Sequence, residues 1–337
     1  MRSEAVPGTR IHELDALRGF AVCGITLVNT WQHTMGELAE HPPAPADWVF
    51  DNLLQSRFYP IFSVLFGVSF VLFLRSAAHR TPRPWWPLLR RLAVLACLGL
   101  LHGLASPGEV LLPYAITGAV VLLPASFLPR WLVLAAGIAA TAWATFLQFG
   151  GIWLVPGLFL LGMAVIEYRP GPRVLVPTLA VSAPLAVALT WAWNHLWTHP
   201  ETFEFRYTPA VYPLAGLAAA TAYCAGVLLL VRARPALAAF LRPLGRITLT
   251  AYLSGGLCAV AAAPLLARDT TRLTAVAFGA ALLALLAAFA HWWLARFRYG
   301  PLEWAWRCLT WWEVVPNRRA SPAPLPSPGH AAGDLGN

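Results

Sequence analysis

The segment RFYPIFSVLFGVSFVLFLRS, residues 57–76, has no charged side chain between Arg57 and Arg75. A helix that crosses a bilayer core about 30 Å thick needs roughly 20 residues of this apolar kind. The chain contains nine further segments of the same character, so the sequence predicts an all-α, polytopic integral membrane protein with about ten transmembrane helices. In chain order, the predicted spans are residues 13–33, 57–76, 90–106, 110–127, 131–149, 151–168, 174–196, 211–231, 247–266 and 273–295.

The composition excludes other classes of protein. Of the 337 residues, 58% are hydrophobic and 12% are charged, whereas soluble domains carry about 25% charged residues. The net charge of +9 does not indicate a nucleic-acid partner, because the arginines lie between apolar runs and form no single basic face. The expected partners are membrane lipid and a small-molecule, glycan or lipid substrate.

The arginines also predict the topology. With the N-terminus inside, nineteen arginines fall in inner segments and four in outer segments, which by the positive-inside rule places both termini in the cytoplasm. The predicted organisation is a cytoplasmic N-terminal segment (1–12), a transmembrane domain (13–295), an interfacial amphipathic helix (296–315) and a disordered tail (316–337). The acidic outer loop 34–56 is open to two interpretations, a lid or vestibule and a merely solvated loop.

Residues 12–33, HELDALRGFAVCGITLVNTWQH, include the first span and carry polar side chains at intervals along its whole length. At about 100° per residue, its polar residues share one face: Asp15, Arg18, Thr26, Asn29 and His33. Ionisable groups at membrane depth are costly and mark a functional site or a structural pair. The stripe is therefore predicted to face protein or a water-filled cavity. The alternative is helix packing, with Asp15 and Arg18 paired at i, i+3.

A second candidate set lies in RRLAVLACLGLLHGLASPGEVLLPYAITG, residues 90–118. Arg91 and His102 are about three helical turns apart and share a face, and Glu109 opens the next helix. A histidine and a carboxylate facing each other across a tight hairpin can act as a general base and its orienting partner. The alternative is a hydrogen-bonded core histidine beside a carboxylate that the helix dipole favours. Tyr114 belongs to the same block and is a candidate substrate-binding residue.

The third set is YGPLEWAWRCLTWWE, residues 299–313, where Glu303 and Arg307 are spaced i, i+4. This pattern is typical of an interfacial helix with an aromatic belt and one ion pair, and both residues are also substrate-binding candidates. The five cysteines are isolated, which argues against a disulfide framework and a zinc site. No motif for nucleotide hydrolysis, hydride transfer or zinc hydrolysis is present, so no bound cofactor or metal is expected.

These blocks resemble the YeiB-type bacterial membrane proteins (domain of unknown function 418). The resemblance runs in order through RIHELDALRGFAVCGITLVNT, FYPIFSVLFGVSF, the 90–118 block, RPLGRITLTAYLS and YGPLEWAWR, across roughly residues 10–310. It implies a multi-pass protein of the bacterial cytoplasmic (inner) membrane, with the YeiB-type C-terminal region at about 150–312. One departure is Glu109, where the family pattern leads us to expect Asp.

A wider resemblance, through LDALRGFA, is to transmembrane acyltransferases, which include acyltransferase-3 proteins and heparan-glucosaminide acetyltransferases. It implies transfer of an acyl group from a cytoplasmic acyl-CoA-type co-substrate to an envelope or exported hydroxyl acceptor. In acyltransferase-3 proteins, a catalytically important histidine follows a similar Asp-x-x-Arg-Gly stretch by one helix length. The corresponding residue here is Asn29, which cannot be a general base, so that role falls to His33 or His102.

On this hypothesis, Arg18 and Arg91 neutralise the donor phosphates, Asp15 orients Arg18, and Asn29 binds the acyl carbonyl. His102, positioned by Glu109, deprotonates the acceptor. Two alternatives stay open: a small-solute transporter or exporter that takes up protons at Asp15 or at the His102–Glu109 pair, and a non-catalytic scaffold. The candidate catalytic residues are His102, Glu109 and Asp15; the candidate substrate-binding residues are Arg18, Asn29, His33, Arg91, Tyr114, Glu303 and Arg307.

Overall fold

The computed structural model describes residues 7–38, 42, 44–106, 108–199 and 208–319. These residues are predominantly helical, which confirms the all-α class, and one isolated antiparallel bridge joins Phe297 to Arg318. The first seven helices are α1 (Pro7–Glu37), α2 (Pro45–Val49), α3 (Phe58–Ala78), α4 (Trp85–Gly103), α5 (Leu111–Thr117), α6 (Leu123–Ala125) and α7 (Arg130–Leu147). The others are α8 (Leu154–Tyr168), α9 (Leu175–Thr198), α10 (Thr208–Ala233), α11 (Pro235–Arg246), α12 (Thr248–Leu266), α13 (Leu273–Arg296) and α14 (Pro301–Trp311).

The long apolar helices make this a membrane protein. Within the described ranges, seven helical segments are long and apolar enough to cross a membrane: Pro45–Ala78, Arg130–Leu147, Gly151–Tyr168, Pro172–Thr198, Pro209–Ala233, Thr248–Leu266 and Leu273–Arg296. The three other predicted spans coincide with α1, α4 and the α5–α6 segment, which a π-helical turn at Gly118–Leu122 makes continuous. The count of ten crossings and the orientation stay predictions.

Helix α1 lies at the centre of the helical packing. It contacts α3, α10, α11, α12 and α13, and the residues of its polar face are half-buried or, at Thr26, fully buried. The crossing with α11 is close because two glycines meet the opposite backbone. A Cβ on Gly19 would overlap the carbonyl oxygen of Leu241, and a Cβ on Gly245 would overlap that of Asp15.

The segment after α1 folds back onto the protein and is only partly described. A π-helical turn, Phe50–Leu54, extends α2, and residues 39–41 and 43 lie outside the described residues. The buried Asp47 accepts a hydrogen bond from Trp31 Nε1 (3.1 Å) and pairs with Arg272 Nε (3.4 Å). The described part of the predicted outer loop is therefore a packed helical turn held to α1.

Most residues of the two predicted terminal segments lie outside the part of the chain that the structure describes. Residues 1–6 and 320–337 lie beyond it, so the predicted disordered tail is described only at 316–319. There the chain returns along the end of α13: Arg298 N donates to Asn317 O (2.8 Å), and Arg319 N donates to Arg296 O (3.0 Å). The predicted interfacial region contains α14.

Candidate functional site

His102 and Glu109 meet across the α4–α5 hairpin. His102 lies in the last turn of α4, and its Nδ1 bonds with Glu109 Oε2. Glu109 Oε1 accepts from the backbone N–H of Leu111 (2.6 Å) and from the hydroxyl of Tyr252 on α12 (3.4 Å). The two side chains are 3% and 7% exposed. The carboxylate therefore holds the imidazole ring in one orientation, as expected of a base and its positioning partner.

The other ring nitrogen of His102 faces α12. Nε2 is buried, has no hydrogen-bond partner among the described residues, and would lie 2.9 Å from a Cβ on Gly256. The buried Thr26 Oγ1 of α1, which would lie 3.8 Å from a Cβ on the neighbouring Gly255, also has no partner among the described residues. Buried polar atoms without partners are rare in proteins and need a physical explanation. We call His102 Nε2 together with Gly256, which faces it, the His102 recess.

The α1 stripe continues past the recess. His33 Nε2 lies 3.3 Å from Ser106 Oγ, next to the α4–α5 hairpin. The hydroxyls of Thr30 and Thr34 donate to carbonyls of their own helix at 2.9 and 2.8 Å. Asn29 is half-buried, and its amide makes no hydrogen bond within the described part of the chain. Thr26 Oγ1 and the Asn29 amide are therefore polar groups of the stripe without a hydrogen-bond partner among the described residues.

The other end of the stripe carries a group of arginines. Arg18 pairs with Asp15 (2.9 Å), which confirms the predicted i, i+3 pair, and donates to Ser69 Oγ (2.6 Å). The Arg91 Cζ lies 3.7 Å from the centroid of the Trp306 ring. Arg18 and Arg307 are near enough to repel Arg91. We call Arg18, Arg91 and Arg307 the arginine cluster.

The arginine cluster carries more positive than negative charge. Among the described residues, Asp15 is the one carboxylate that forms an ion pair with it. Arg91 is held by aromatic rings, with Phe73 at 4.9 Å in addition to Trp306. Arg307 Nε is buried and has no hydrogen-bond partner in the described ranges. Guanidinium groups that stack on aromatic rings keep their hydrogen-bond donors available to an anion.

Glu303 does not form the predicted ion pair with Arg307. Its carboxylate instead accepts from the backbone N–H groups of Leu249 (2.6 Å) and Thr250 (3.0 Å) and from the Thr250 hydroxyl (2.6 Å). These are the first residues of α12, so Glu303 caps that helix from α14. Burial raises the pKa of Glu303, and the hydrogen bonds from Thr250 oppose that rise.

Tyr114 lies in the apolar core between α3 and α8, away from both groups. Its hydroxyl is 2.7 Å from Ser63 Oγ, and its ring packs edge-on against Phe159 at 5.0 Å. All of its polar capacity is used within the protein. In this conformation the structure therefore brings together Asp15, Arg18, Arg91 and Arg307 at one end of α1, and His33, His102 and Glu109 towards the other.

Sequence reasoning missed two buried arginines at the predicted outer side. Arg57 is 0% exposed and Arg272 is 1% exposed, the two largest side chains that are fully buried. Arg272 pairs with Asp47, whereas Arg57 has no carboxylate partner among the described residues. The one available signal was their position, since few arginines fall in the predicted outer segments.

The fold and these groups define a class, a helical membrane protein with a buried histidine–carboxylate pair and an excess of arginine. Comparison with known proteins gives the family. The chain is 31% identical to the "Uncharacterized 39.9 kDa protein in amylase 3'region" of Bacillus acidopullulyticus, over 91% of this chain and 95% of the relative. The family model "Protein of unknown function (DUF418)" matches residues 167–313. The chain therefore belongs to the DUF418 family.

Two shorter matches agree with this family. The uncharacterized protein YeiB of Escherichia coli K12 is 33% identical over 32% of this chain and 29% of its own length. The uncharacterized protein YxaH of Bacillus subtilis 168 is 32% identical over 37% of this chain and 35% of its own. No solved structure matches the chain. None of these names states an activity, so any function has to be argued from the site.

Proposed function

We propose that this protein is a multi-pass acyltransferase of the bacterial inner membrane, with an acyl-CoA-type donor and a hydroxyl acceptor from the envelope. The observation that carries the proposal is the buried imidazole of His102. Its Nδ1 is fixed by Glu109, while Nε2 has no partner within the described part of the chain. A purely structural histidine at this depth would be expected to use both nitrogens. The free nitrogen is the atom that a general base needs.

In the proposed reaction, the Glu109 carboxylate keeps the His102 proton on Nδ1, so the Nε2 lone pair accepts the proton of the acceptor hydroxyl. The acceptor oxygen then bonds to the thioester carbonyl carbon. The carbon–sulfur bond breaks, and the leaving thiolate takes the proton from Nε2 as free CoA. Thr26 Oγ1 and the Asn29 amide are the donors available to the carbonyl oxygen.

The arginine cluster is the proposed binding site for the donor phosphates. Arg91 and His102 lie on the same helix, eleven residues and so about 16 Å apart along its axis. A donor held at the cluster must therefore carry a long flexible arm to bring its acyl group to the recess. Acyl-CoA combines that arm with several phosphates, which guanidinium groups bind well.

The transporter hypothesis is the second candidate, and the polar face of α1 favours it. That face continues from Asp15 through Thr26 and Asn29 to His33, inside the protein. A solute path along it would use the His102–Glu109 pair for protons and would need no acyl donor. The scaffold hypothesis instead requires every charge to be structural.

Thermal unfolding of the detergent-purified protein with CoA and acetyl-CoA separates these candidates. We expect a saturable rise in Tm that Arg18→Ala removes and that Arg75→Ala, in the ion pair with Glu167, retains. Membrane vesicles from cells that produce the protein supply the envelope hydroxyl acceptor. They should release free CoA from acetyl-CoA, and His102→Gln should abolish release while keeping the rise in Tm of the purified protein. Solute uptake into the vesicles that depends on a pH gradient, with no CoA-dependent rise in Tm and no CoA release, would favour the transporter. If neither a CoA effect nor solute uptake is observed, only the scaffold hypothesis is left.

A further inference from the structure

Arg57 is a buried guanidinium with one edge unused. It precedes α3 directly, and its side chain is fully buried. Nη1 donates to the backbone carbonyls of Asp51 (3.0 Å) and Gln55 (2.5 Å). Nε and Nη2 are buried and have no hydrogen-bond partner among the residues that the structure describes. An arginine keeps its charge in proteins, and a buried charge without a partner is strongly unfavourable.

The two unused atoms belong to the same edge of the guanidinium plane. The Nε–H and one N–H of Nη2 point in parallel, which is the fork that binds two oxygens of a carboxylate or phosphate. The Arg57 Cζ lies over the Tyr212 ring of α10, 5.1 Å from the ring centroid. The protein thus uses Nη1 to fix Arg57 and leaves the oxyanion-binding edge available.

Arg272 provides an internal comparison, because it is equally buried at the same predicted outer side. Its Nε makes no hydrogen bond among the described residues but lies 3.4 Å from Asp47 Oδ1 as an ion pair. Its other donors reach Thr270 O (2.6 Å) and Pro42 O (3.2 Å). The chain therefore supplies a carboxylate to this arginine. It supplies none to the corresponding atoms of Arg57 among the described residues.

We propose that the Nε–Nη2 edge of Arg57 binds a phosphate-type oxyanion, where α1 ends and α3 begins. The ligand is either a lipid phosphate or a soluble phosphate, since both present the same oxygens to the fork. Asp51 is near enough to interact electrostatically with Arg57, and its exposed carboxylate opposes an incoming anion. Because Arg57 is fully covered, binding requires the 50–56 turn to move. The site is independent of the proposed acyl transfer.

The test measures Tm in an uncharged detergent while inorganic phosphate, or phosphatidylglycerol in mixed micelles, is titrated at constant ionic strength. We expect a saturable rise of about 2 °C or more. A rise with phosphate identifies a soluble ligand, and a rise with the lipid alone identifies a headgroup. Arg57→Gln should remove the rise. Arg272→Gln should lower the Tm measured without ligand, because it removes the ion pair with Asp47. The rise in Tm during the titration should be retained.

Two further measurements keep the proposal open to refutation if Arg57→Gln does not fold. Arg57→Lys retains charge but loses the fork, so its half-saturating concentration should rise at least about tenfold. Native mass spectrometry of the unmodified protein should show retained phosphate or phosphatidylglycerol. An absence of both adducts and of any rise in Tm in the unmodified protein would overturn the proposal, as would a rise that survives in Arg57→Gln.

Asp51→Asn tests whether the protein's own carboxylate is the partner. Under the proposal, removing this negative charge strengthens anion binding and lowers the half-saturating concentration. If Asp51 instead pairs with Arg57 in solution, Asp51→Asn will lower Tm without tightening anion binding. The double variant with Arg57→Gln will then have a Tm little lower than that of Asp51→Asn alone, and that result contradicts the proposal.

Discussion

At the scale of single residues, two neighbouring glycines of α12 have different surroundings. A Cβ on Gly256 would lie 2.9 Å from His102 Nε2 and 3.0 Å from Cε1, tighter than ordinary contact. A Cβ on Gly255 would meet Leu286 at 3.6 Å and Thr26 at 3.8 Å, which is ordinary van der Waals distance. The pair therefore separates the effect of a methyl group on α12 from its effect on the imidazole.

We predict that Gly256→Ala abolishes CoA release from acetyl-CoA, because the methyl group occupies the space in front of His102 Nε2. Gly255→Ala should keep the activity and raise stability by up to about 1 kcal/mol, since alanine is the better helix former. CoA release and Tm of the two variants check this. Equal activity in both would show that the acceptor does not approach His102 from α12.

The residues of the candidate site were predictable to different degrees. The i, i+3 pair of Asp15 and Arg18 and the pairing of His102 with Glu109 are local in sequence, so helix geometry and a tight hairpin suffice. Glu303 bonds to α12, more than fifty residues earlier, and no spacing rule predicts such a contact. The unpaired edge of Arg57 depends on where the carboxylates of other elements lie, which only the tertiary structure determines.

At the scale of elements, paired glycines bring two apolar helices into backbone contact. On α3, a Cβ at Gly67 would overlap the carbonyl oxygen of Phe159, and on α8 a Cβ at Gly162 would overlap that of Val64. Small residues are a known means of packing transmembrane helices, where lipid supplies no hydrophobic driving force. The sequence contains both glycines, but their partnership follows only from the register of the two helices.

We predict that Gly67→Ala lowers the free energy of unfolding by about 3 kcal/mol, because a rigid backbone carbonyl cannot move aside for the methyl group. Gly36→Ala is the matched control. It lies in α1 with open space around it, so the change should be neutral or stabilising by up to about 1 kcal/mol. Thermal and denaturant unfolding measure both. A Gly67→Ala protein as stable as the control would contradict the close crossing.

The cap of α12 by Glu303 gives a pH-dependent prediction. Burial raises the pKa of Glu303 above its ordinary 4.5, so the carboxyl contributes most to stability below that pH, and this contribution is lost as pH rises through the raised pKa. Compared with Glu303→Gln, the unmodified protein should therefore lose Tm as pH rises from 4.5. The opposite slope would show that hydrogen bonds from Leu249 and Thr250 outweigh burial.

At the scale of the whole molecule, the number of crossings decides which groups face which compartment. Hydropathy alone finds seven crossing segments among the described residues, whereas the sequence predicts ten. The difference is α1, α4 and the α5–α6 segment, and the first two carry the candidate site. Ionisable side chains lower the hydropathy of α1 and α4, so the residues that suggest function also hide these helices from a hydropathy criterion.

Labelling of introduced cysteines in intact cells distinguishes ten crossings from seven, because α1, α4 and the α5–α6 segment all precede Gly171. With ten spans, Ser3 and Gly171 are separated by six crossings. If α1, α4 and the α5–α6 segment do not cross, they are separated by three. In a cysteine-free background, we predict that Ser3→Cys and Gly171→Cys both resist an impermeant maleimide until the membrane is opened. Thr270→Cys, in the exposed α12–α13 turn, should react from outside.

Labelling of Gly171→Cys from outside, with Ser3→Cys protected, would require an odd number of crossings between them. At least one of α1, α4 and the α5–α6 segment would then not cross the bilayer, which would contradict the count of ten. If that segment is α1 or α4, a donor entering from the cytoplasm has no path along α1 to His102.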